Sequence, residues 1–514
     1  MRIKGKIMYY FLDSKLDANS SGIEHAEVKR LKLFKRNHVK AKITTNEFNR
    51  FGHRNLALYG LDDDDYVNMF DFFAGTVNYA GRIVTLKDLP IPGFNQVKKI
   101  TNGYEVYEDN RKTMTINMFP NGSVDTIIYY NGDVHRIKED FYDTRGFKSL
   151  TQIFDTADDH LVYELFFRPN NTIYYEISYE KRPTYYPATN IQLTDVHGVV
   201  HSLMNSGQAF TIMLDQMNEQ DGAEKSTFIS DRSNITNVPM INMKTPARKI
   251  EHFHNIHFRD YWDPSSPLTY NSISNNELLS KTDLVITPGK HQADDMRKRL
   301  RTQVPIVSIP VGIVPDEQLQ AEHIPMSERT KGKIIIIARL FYEKRIDDAI
   351  KAFNQAYQKN DSLTLDTYGY GDGNDNFKEE KMLKKLVQDL GLEDVIHFMG
   401  YTQDMDSVYD NAQLSVLSSR YEGAPLSIVE AQSHGVPVIA YDINYGPADL
   451  IADGQSGFIV PSGHIDELAA KITEFFASPK LRRKLNEGAY ENAKRSSSEN
   501  VWRYWQKYVI DTDK

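Results

Sequence analysis

Two glutamates with seven residues between them fall in the stretch 418–431, where residues able to do chemistry are concentrated. The stretch follows an apolar run at 412–417 that is typical of a short buried strand. It turns at Glu422 and Gly423, and helical apolar spacing begins at Leu426. A helix beginning there presents unpaired backbone N–H groups to an anion, and Glu430 could accept hydrogen bonds from the vicinal hydroxyls of a ribose. A surface loop before an ordinary helix is the alternative.

Two cations precede this stretch. Arg339 follows the first apolar strand of the second half of the chain, and Lys344 comes just before a helical pattern. Because a strand-end arginine and a helix-start lysine converge where doubly wound sheets bind ligands, we expect them to hold a diphosphate. Surface charge beside a helix start is the alternative. The glycines of 369–373 could admit a ligand to the backbone or form a plain turn.

Histidines and aspartates are the remaining candidates. His254 and His257 follow a predicted strand, a position that fits a structural histidine, a sugar contact or a proton-handling group, whereas zinc would require a third ligand. The four aspartates of 62–65 favour a helix N-terminus over a metal site, because carboxylates complement the helix dipole. The sequence contains no Gly-x-Ser-x-Gly elbow, P-loop or dinucleotide fingerprint.

Composition narrows the class of protein. The chain has 514 residues, too many for one compact core, and a net charge of −9 that does not favour nucleic acid as a partner. The absence of cysteine excludes disulfides, a thiol nucleophile and thiolate metal sites. Residues 1–10 are too short and too charged for a signal peptide, and no run is long enough to span a bilayer. We therefore expect a cytoplasmic protein.

The first half of the chain mixes two periodicities. A strand at 6–12, a glycine turn at Gly22 and a helix suggest a Rossmann-like start. Between 100 and 200 the pattern alternates, with hairpin signals at Asn121-Gly122 and Asn131-Gly132 and a strand over 134–137, which predicts an antiparallel β-meander. Its aromatic, β-branched faces suggest contact with an oligomer or a partner. Alternation resumes after 200, including a short strand at 239–242.

The second half is more regular. A polar linker at 315–331 leads to helices alternating with short apolar strands, which predicts a parallel, doubly wound α/β sheet. The predicted strands are 333–338, 363–367, 395–398, 414–417, 436–441 and 457–460. A helical segment at 481–508 follows.

Taken together, Arg339, Lys344, Glu422 and Glu430 resemble the signature of retaining, nucleotide-sugar-dependent group 1 glycosyltransferases (glycosyltransferase family 4). The likeness covers the second half of the chain, with Gly22 and His254 added from the first. It implies a GT-B fold, in which two Rossmann-like doubly wound domains face a cleft and the β-meander is inserted in the N-terminal one. The implied domains are 1–75 with 200–315, the insertion 76–199, the nucleotide-sugar domain 316–485, and a helix at 486–514 that packs back across the domain boundary.

A narrower likeness concerns the segments 21–26, 140–147, 254–257 and 441–447 together with the β-meander. They look like a Gram-positive subgroup that glycosylates serine-rich or serine–aspartate adhesins or wall teichoic acid. In that subgroup the insertion builds oligomers or holds a partner glycosyltransferase subunit and acceptor. The resemblance therefore implies UDP-GlcNAc or UDP-glucose as donor, no metal or other cofactor, a homo-oligomer or partner subunit, and peripheral membrane association as an additional setting.

The same resemblance implies a role for each matching residue. Arg339, Lys344, Gly22 and Ile23 would hold the diphosphate. His254, Glu422, Gly423, Ala424, Pro425 and Leu426 would meet the donor sugar, with Glu422 and His254 nearest the reaction. Glu430 would bind the ribose, and Tyr401, Thr402 and Gly369 the uracil. The family often has Gly-Phe-Gly at 423–425; here Pro425 lacks an N–H to donate.

We expect transfer of GlcNAc or glucose to serine hydroxyls of an adhesin. Poly(glycerol phosphate) or another teichoic polymer is the alternative acceptor. A non-catalytic partner subunit that binds acceptor through the β-meander is the alternative from a different class.

Overall fold

The computed structural model describes residues 7–93, 95–131, 135–182, 185–222 and 226–513, and contacts divide it into two compact units. Unit 1 ends at Lys249 and unit 2 begins at Ile250. In the described residues, no helix is both long and apolar enough to cross a membrane.

Unit 1 combines a parallel sheet with an antiparallel one. Its strands are β1 Met8–Asp13, β2 Ala41–Thr45, β3 Tyr66–Asn68, β4 Gln96–Ile100, β5 Gly103–Glu108, β6 Arg111–Met118, β7 Val124–Asn131, β8 His135–Tyr142, β9 Lys148–Phe154, β10 Leu161–Phe167, β11 Ile173–Tyr179, β12 Ala188–Thr194, β13 Val200–Leu203 and β14 Ser226–Ser230. Its helices are α1 Gly22–Arg36, α2 Gly52–Leu56, α3 Met69–Ala74, α4 Ser206–Gln220 and α5 Asn237–Ile241.

The parallel strands of unit 1 run in the order β14-β1-β2-β3. All but the first residue of β1 are buried, which explains its nearly unbroken apolar sequence. The predicted helix after Gly22 is α1, which begins with a capping box between Ser21 and Glu24. The strand–turn–helix start predicted from the sequence is confirmed.

The predicted β-meander is a ten-stranded antiparallel sheet in which β4 to β13 lie side by side in chain order. The predicted turn at Asn121-Gly122 joins β6 to β7, and Gly122 adopts a positive φ of 81° there. Gly132 and Val134, which belong to the second predicted turn and the following strand, lie outside the described residues. The aromatic, β-branched composition of this region is the natural one for strands.

Arg145 fixes this sheet to the parallel part of unit 1. Its guanidinium donates to the carbonyl of Thr76 at 2.8 Å and to Asp71 at 2.5 Å, and its Nε donates to Asp143 at 2.8 Å. Beside it the Phe70 ring lies 4.8 Å from that of Phe166 in β10. Charge-assisted hydrogen bonds and aromatic packing together make the insertion part of the core of unit 1.

Unit 2 takes most of β15 and everything after it. Its strands are β15 Arg248–His252, β16 Leu284–Thr287, β17 Ile306–Ser308, β18 Lys333–Ile337, β19 Thr364–Tyr368, β20 Ile396–Gly400, β21 Leu414–Leu417, β22 Val438–Asp442 and β23 Gly457–Pro461. Its helices are α6 Asn271–Ser274, α7 Asn276–Leu279, α8 Lys290–Arg299, α9 Asp316–Gln320, α10 Ile346–Tyr357, α11 Lys378–Asp389, α12 Met405–Asn411, α13 Leu426–Ser433, α14 Pro447–Leu450, α15 Ile465–Ala477, α16 Pro479–Ala493 and α17 Ser498–Trp505.

The last six strands form a parallel sheet in the order β20-β19-β18-β21-β22-β23, as the doubly wound prediction requires. Helices α10, α11 and α15 pack on one face and α12 and α13 on the other. The strand order reverses between β18 and β21, where Ile334 pairs with Leu414. Ligands of such sheets bind outside the carboxyl ends of the strands at this reversal point.

The predicted polar linker at 315–331 is more structured than its composition suggests. It contains α9, and Arg329 near its end is almost fully buried. The Arg329 guanidinium donates to the carbonyls of Tyr409 and Ala412 and to the Tyr490 hydroxyl, at 2.9, 3.0 and 3.2 Å. The linker is thereby tied to α12, β21 and α16.

Two predictions of local structure are wrong. The segment 239–242 is not a strand, because it forms the end of α5. Pro239 lies in the first turn of this short helix, where a proline is tolerated. The aspartates of 62–65 do not begin a helix. They form a 3-10 turn capped by Asp62, and the edge strand β3 intervenes before α3.

Candidate active site

The carboxyl ends of β18 and β21 carry the charged residues singled out in the sequence. Arg339 and Lys344 lie in the loop that leaves β18, and Glu422 lies in the loop that leaves β21. Since these two strands are neighbours at the reversal point of the sheet, the loops are brought to the same crevice. The fold therefore brings together residues that are distant in the chain, since Lys344 and Glu422 are 78 residues apart.

Lys344 and Glu422 form an ion pair at the centre of this crevice. The Lys344 Nζ lies 2.6 Å from Glu422 Oε1, and each side chain is 15% exposed. Ser419 Oγ donates to the same carboxylate oxygen at 2.6 Å. Two donors hold the carboxylate, which in turn fixes the ammonium in place. Sequence reasoning gave Ser419 no role, although it stood three residues from Glu422.

Arg339 lies in the same loop but is not paired with Glu422. Its guanidinium donates to Glu343 at 3.2 Å and its Cζ lies 4.4 Å from the centre of the Phe341 ring. The side chain is 41% exposed, so it keeps access to solvent and to a ligand at the crevice. The two cations predicted to bind a diphosphate thus share a loop. Lys344 is paired with Glu422 inside it, and Arg339 lies at its surface.

The backbone on each side of Glu422 is also fixed. The Glu422 N–H donates to the Asn444 carbonyl at 3.2 Å, and the Tyr445 N–H donates to the Glu422 carbonyl at 2.7 Å. The Tyr445 hydroxyl then donates to Asp295 in α8 at 3.0 Å. This chain of contacts was missed in the sequence, where 441–447 counted only as part of a resemblance.

Gly423 lies directly against the backbone after β15. A Cβ added at Gly423 would lie 2.0 Å from the His254 carbonyl oxygen and 2.4 Å from its carbonyl carbon, so no side chain fits there. The structure therefore brings the His254 backbone to the Glu422 loop, and the predicted contact of His254 with the donor sugar stays a prediction. The His254 ring lies 4.3 Å from that of His252, which is buried.

Helix α13 begins where the sequence placed a helix. Pro425 is its N-cap residue, Leu426 is its first residue, and the N-cap makes no side-chain capping hydrogen bond in the described structure. The first backbone N–H groups of the helix are left for a ligand or water. The Pro425 ring fills the space beside Gly446, whose added Cβ would lie 2.3 Å from Pro425 Cδ. Ala424, which lies between Gly423 and Pro425, is half-buried.

Glu430 lies in the second turn of α13. The Tyr409 hydroxyl of α12 donates to its Oε2 at 3.3 Å. Burial and the charge of Glu430 hold the pKa of Tyr409 well above its usual value, so this hydroxyl remains a donor. The carboxylate is half-buried, and its predicted contact with a ribose stays a prediction.

Replacing Glu430 with alanine should weaken the binding of UDP by about 1.5–3 kcal/mol, the range for hydrogen bonds to a charged group. Calorimetric titration with UDP measures this. Tyr409→Phe is the matched control, because it deletes the hydroxyl that touches Glu430 and leaves the carboxylate. An equal loss of UDP affinity in both variants would show that Glu430 acts only by supporting the fold.

The predicted uracil residues follow β19 and β20. Tyr401 is partly exposed and its ring centre lies 6.2 Å from that of Tyr370, while Thr402 Oγ1 accepts the Asp404 N–H at 3.1 Å. Gly369 has a φ of 149°, and a Cβ added there would lie 1.9 Å from the carbonyl oxygen of Ala338. Close approach of β18 and β19 is therefore a sufficient reason for this glycine, and its contact with uracil stays a prediction.

Gly22 and Ile23 are the first two residues of α1, in unit 1. Arg232 supports this helix start from the end of β14, since its Nε donates to Asp13 at 2.7 Å and its Nη2 donates to Glu24. The predicted role of Gly22 and Ile23 at a diphosphate stays a prediction.

His257 is buried between the rings of Phe258 and Tyr445, with centroid distances of 5.1 and 6.0 Å. Its Nδ1 makes no hydrogen bond within the described residues. Burial lowers the pKa of His257 to about 4, and the nearby Arg299 adds to the effect. Of the alternatives left open for the two histidines, this environment favours a structural role for His257.

The buried neutral His257 should make unit 2 sensitive to acid. An unfolded histidine takes a proton below a pH of about 6.5, whereas folded His257 resists protonation down to about pH 4. The free energy of unfolding therefore keeps its full value above a pH of about 6.5. It decreases as the pH falls from about 6.5 to about 4. We expect about 2 kcal/mol less stability at pH 5 than at pH 7.5. Urea unfolding of the wild type and His257→Phe tests this; an equally steep pH dependence in the variant would contradict it.

Residues 320–492 match the family model described as glycosyl transferases group 1. The chain carries a group 1 glycosyltransferase domain. The matched segment includes the Lys344–Glu422 pair and the whole six-stranded sheet, and the predicted family resemblance is confirmed.

Curated relatives cover this chain to different extents. The UDP-N-acetylglucosamine–peptide N-acetylglucosaminyltransferase GtfA subunit of Limosilactobacillus reuteri is 24% identical over 95% of this chain and 96% of its own length. The poly(ribitol-phosphate) alpha-N-acetylglucosaminyltransferase of Staphylococcus aureus is 29% identical over 36% of this chain and 37% of its own. The exopolysaccharide phosphotransferase SCO2592 of Streptomyces coelicolor is 33% identical over 36% of this chain but only 19% of its own length.

Solved structures extend the likeness to the whole fold. TarM superposes with a TM-score of 0.82 at 20% identity, over 99% of both chains. The pneumococcal O-GlcNAc transferase GtfA, solved with UDP and GlcNAc, gives 0.81 at 20% identity, over 98% of this chain and 99% of that one. A GtfA/B complex gives 0.78 at 21% identity, over 98% and 99%. The predicted GT-B fold with its antiparallel insertion is confirmed.

Proposed function

We propose that this glycosyltransferase moves GlcNAc, or glucose, from a UDP-sugar to serine hydroxyls of a serine-rich surface protein, with retention at the anomeric carbon. The observation that carries the proposal is the Lys344–Glu422 pair at the reversal point of the sheet. The relative that aligns along nearly its full length is named for transfer of GlcNAc from UDP-GlcNAc to peptide, which supports this choice of donor and acceptor.

The chemistry of the donor explains the charges. Cleavage of the bond between the anomeric carbon and the β-phosphate oxygen leaves negative charge on the diphosphate. In this scheme Lys344 and Arg339 stabilise that charge, together with the N–H groups and the positive dipole end at the start of α13. Because the protein supplies this charge, we expect transfer to continue in the presence of EDTA.

Glu422 has two tasks in this scheme. Its carboxylate fixes Lys344 and, on the reacting side, accepts hydrogen bonds from the donor sugar hydroxyls. The bond to the serine oxygen forms on the face from which UDP departs, and the serine proton passes to the departing phosphate. In this scheme His254, whose backbone carbonyl lies against Gly423, contacts the donor sugar. Expulsion of water from such a site limits wasteful hydrolysis of the donor.

A donor panel tests the proposal. Enzyme is mixed with UDP-GlcNAc, UDP-glucose and related UDP-sugars, together with a serine-rich peptide or a poly(glycerol phosphate) oligomer. Release of UDP identifies the donor, and the gain in mass identifies the acceptor. No gain in mass on the peptide would refute the protein acceptor. Gain on the oligomer alone would establish the alternative of a teichoic polymer, and the S. aureus relative supports this class of acceptor because it is named for poly(ribitol-phosphate).

A non-catalytic partner subunit is the alternative from another class. An intact Lys344–Glu422 pair argues against it, because a subunit that only binds acceptor has no need of a half-buried cation paired with a carboxylate at the strand ends. Absence of UDP release with every donor would favour it.

We propose further that the antiparallel sheet of unit 1 contacts a second subunit through β13. The two edges of that sheet differ. Edge strand β4 carries Lys98 and Lys99, which discourage pairing with another strand, whereas β13 and its flanks expose Val200 by 63% and Met204 by 87%. The existence of a GtfA/B complex among the structural neighbours is compatible with either a like or an unlike partner.

Charging the β13 edge should therefore break the assembly. We expect Val200→Lys combined with Met204→Lys to reduce the mass in solution, measured by light scattering, to that of the 59.1 kDa monomer. Val97→Lys on the opposite edge strand is the control and should leave the mass unchanged. A double variant with the mass of the wild type would exclude β13 as the contact, and a monomeric wild type would exclude self-association.

A further inference from the structure

A tryptophan in unit 2 is exposed at the tip of a well-fixed loop. Trp262 is 71% exposed, although large aromatic side chains usually bury most of their surface. Its loop is closed by a bridge between Phe258 and Leu268, and the guanidinium of Arg299 donates to the carbonyls of Ser265, at 3.2 Å, and Ser266. A rigid loop that holds an aromatic ring in solvent is typical of a binding surface.

Arg420 connects this loop to the active-site loops. Its Nη1 donates to the Tyr261 hydroxyl at 3.2 Å and its Nε to the Tyr342 carbonyl at 3.2 Å. Its Cζ also lies 4.1 Å above the centre of the Tyr342 ring, and Tyr261 packs edge-on against Trp262 at 4.7 Å. We call Tyr261, Trp262, Tyr342 and Arg420 the aromatic platform.

The platform adjoins the proposed transfer site. Tyr342 stands two residues before Lys344, and Arg420 two residues before Glu422, so the same two loops carry both features. The Arg420 N–H also donates to the Glu343 carbonyl at 2.8 Å, which joins the loops to each other. A molecule lying on the platform is therefore held next to the ion pair.

Tyr342 supplies a second open surface, since it is 60% exposed. Together with Trp262 it offers rigid apolar contact at a small cost in conformational entropy, and Arg420 and the tyrosine hydroxyls supply polar atoms at its edges. Such a combination suits an extended chain with small polar side chains, which can lay its backbone and methylene groups along the rings.

The charges around the platform disfavour a polyanion. The loop carries Asp260 and Asp263 after Arg259, and Glu343 and Glu379 lie beside Arg420. Burial and Asp347 raise the pKa of Glu379, against the opposing effect of Arg420. Binding of a polyphosphate chain requires a track of cations, and here both signs are interspersed.

We propose that the aromatic platform is an acceptor subsite for a polypeptide segment of low net charge that presents serine to the Lys344–Glu422 site. This inference rests on the proposed function, because it assigns the acceptor class of the same site. It adds a set of residues outside those implied for the donor, and it excludes a polyanionic acceptor from this surface.

Calorimetry of peptide binding tests the platform directly. A serine-rich peptide of near-zero charge is titrated into the full-length protein in the presence of UDP. We expect Trp262→Ala to weaken peptide binding about tenfold or more, the scale of an aromatic hot spot, while UDP affinity stays the same. Trp262→Tyr should restore most of the affinity. Tyr504→Ala, an exposed aromatic residue of α17, is the matched control and should bind peptide normally.

The outcomes are distinct from those of the donor panel. Equal peptide affinity in the wild type and Trp262→Ala overturns the platform, as does a wild type that does not bind the peptide. If a poly(glycerol phosphate) oligomer binds more tightly than the peptide and loses affinity with Trp262→Ala, the surface takes a polyanion and the assignment is wrong. The proposed function fails separately, when wild-type enzyme releases UDP from no UDP-sugar.

Discussion

Replacing Lys344 with alanine should lower kcat by about 100-fold or more, the typical cost of removing one donor that stabilises developing negative charge. The ammonium lies 2.6 Å from Glu422 in a crevice where each side chain is 15% exposed, so solvent does not replace it well. The loss should fall on kcat rather than on the KM for the acceptor. Initial rates of UDP release at saturating donor measure it.

Lys351→Ala provides the matched control for this prediction. Lys351 lies on α10, pairs with Asp347 at 2.6 Å and is 42% exposed, so its loss should alter neither the rate nor the fold. Circular dichroism confirms folding of both variants. A Lys344→Ala enzyme with the wild-type rate would disprove the stabilisation of the diphosphate by this residue.

Gly423→Ala should damage both the site and the stability of unit 2. The added methyl group would lie 2.0 Å from the His254 carbonyl oxygen, and this atom belongs to the backbone, which cannot rotate away. The Glu422 loop and the strand end must move apart. We expect about 1–3 kcal/mol of destabilisation from overpacking. Because misplacement by about 1 Å can cost 100-fold in rate, we also expect kcat to fall by about that factor.

Thermal unfolding and initial rates, measured on the same preparation, test the Gly423 prediction. Gly373→Ala is the control, since the nearest atom to its added Cβ is Phe377 Cζ at 3.6 Å, an ordinary contact. Wild-type activity in Gly423→Ala would mean that the loop is free to shift without consequence, and the site would then lack the rigidity that we ascribe to it.

The amino-acid sequence was sufficient for the architecture of unit 2. Strand and helix alternation after residue 333 has a strong local period, and one parallel topology accounts for it. Arg339, Lys344 and Glu422 were grouped through the family resemblance. Their positions in the loops that follow predicted strands agree with that grouping, because the strand ends of a parallel sheet share an edge.

Other features depend on contacts distant in sequence. The hydrogen bonds that join Glu422 to 444–445 and the pairing of Arg420 with Tyr261 connect segments with no shared local pattern. Nothing in the residue types shows that a side chain cannot fit at Gly423, since this depends on the approach of the His254 carbonyl. The strand predicted at 239–242 failed because its apolar residues suit a buried helix equally well.

The contacts of Arg329 determine how this chain can be divided for expression. A fragment that starts after 331 would lose the guanidinium that joins α12 and β21, and one that stops before Tyr490 would remove a partner of that guanidinium. Either truncation leaves buried carbonyl or guanidinium groups unsatisfied. A fragment containing the six-stranded sheet therefore has to begin upstream of Arg329 and keep α16 whole.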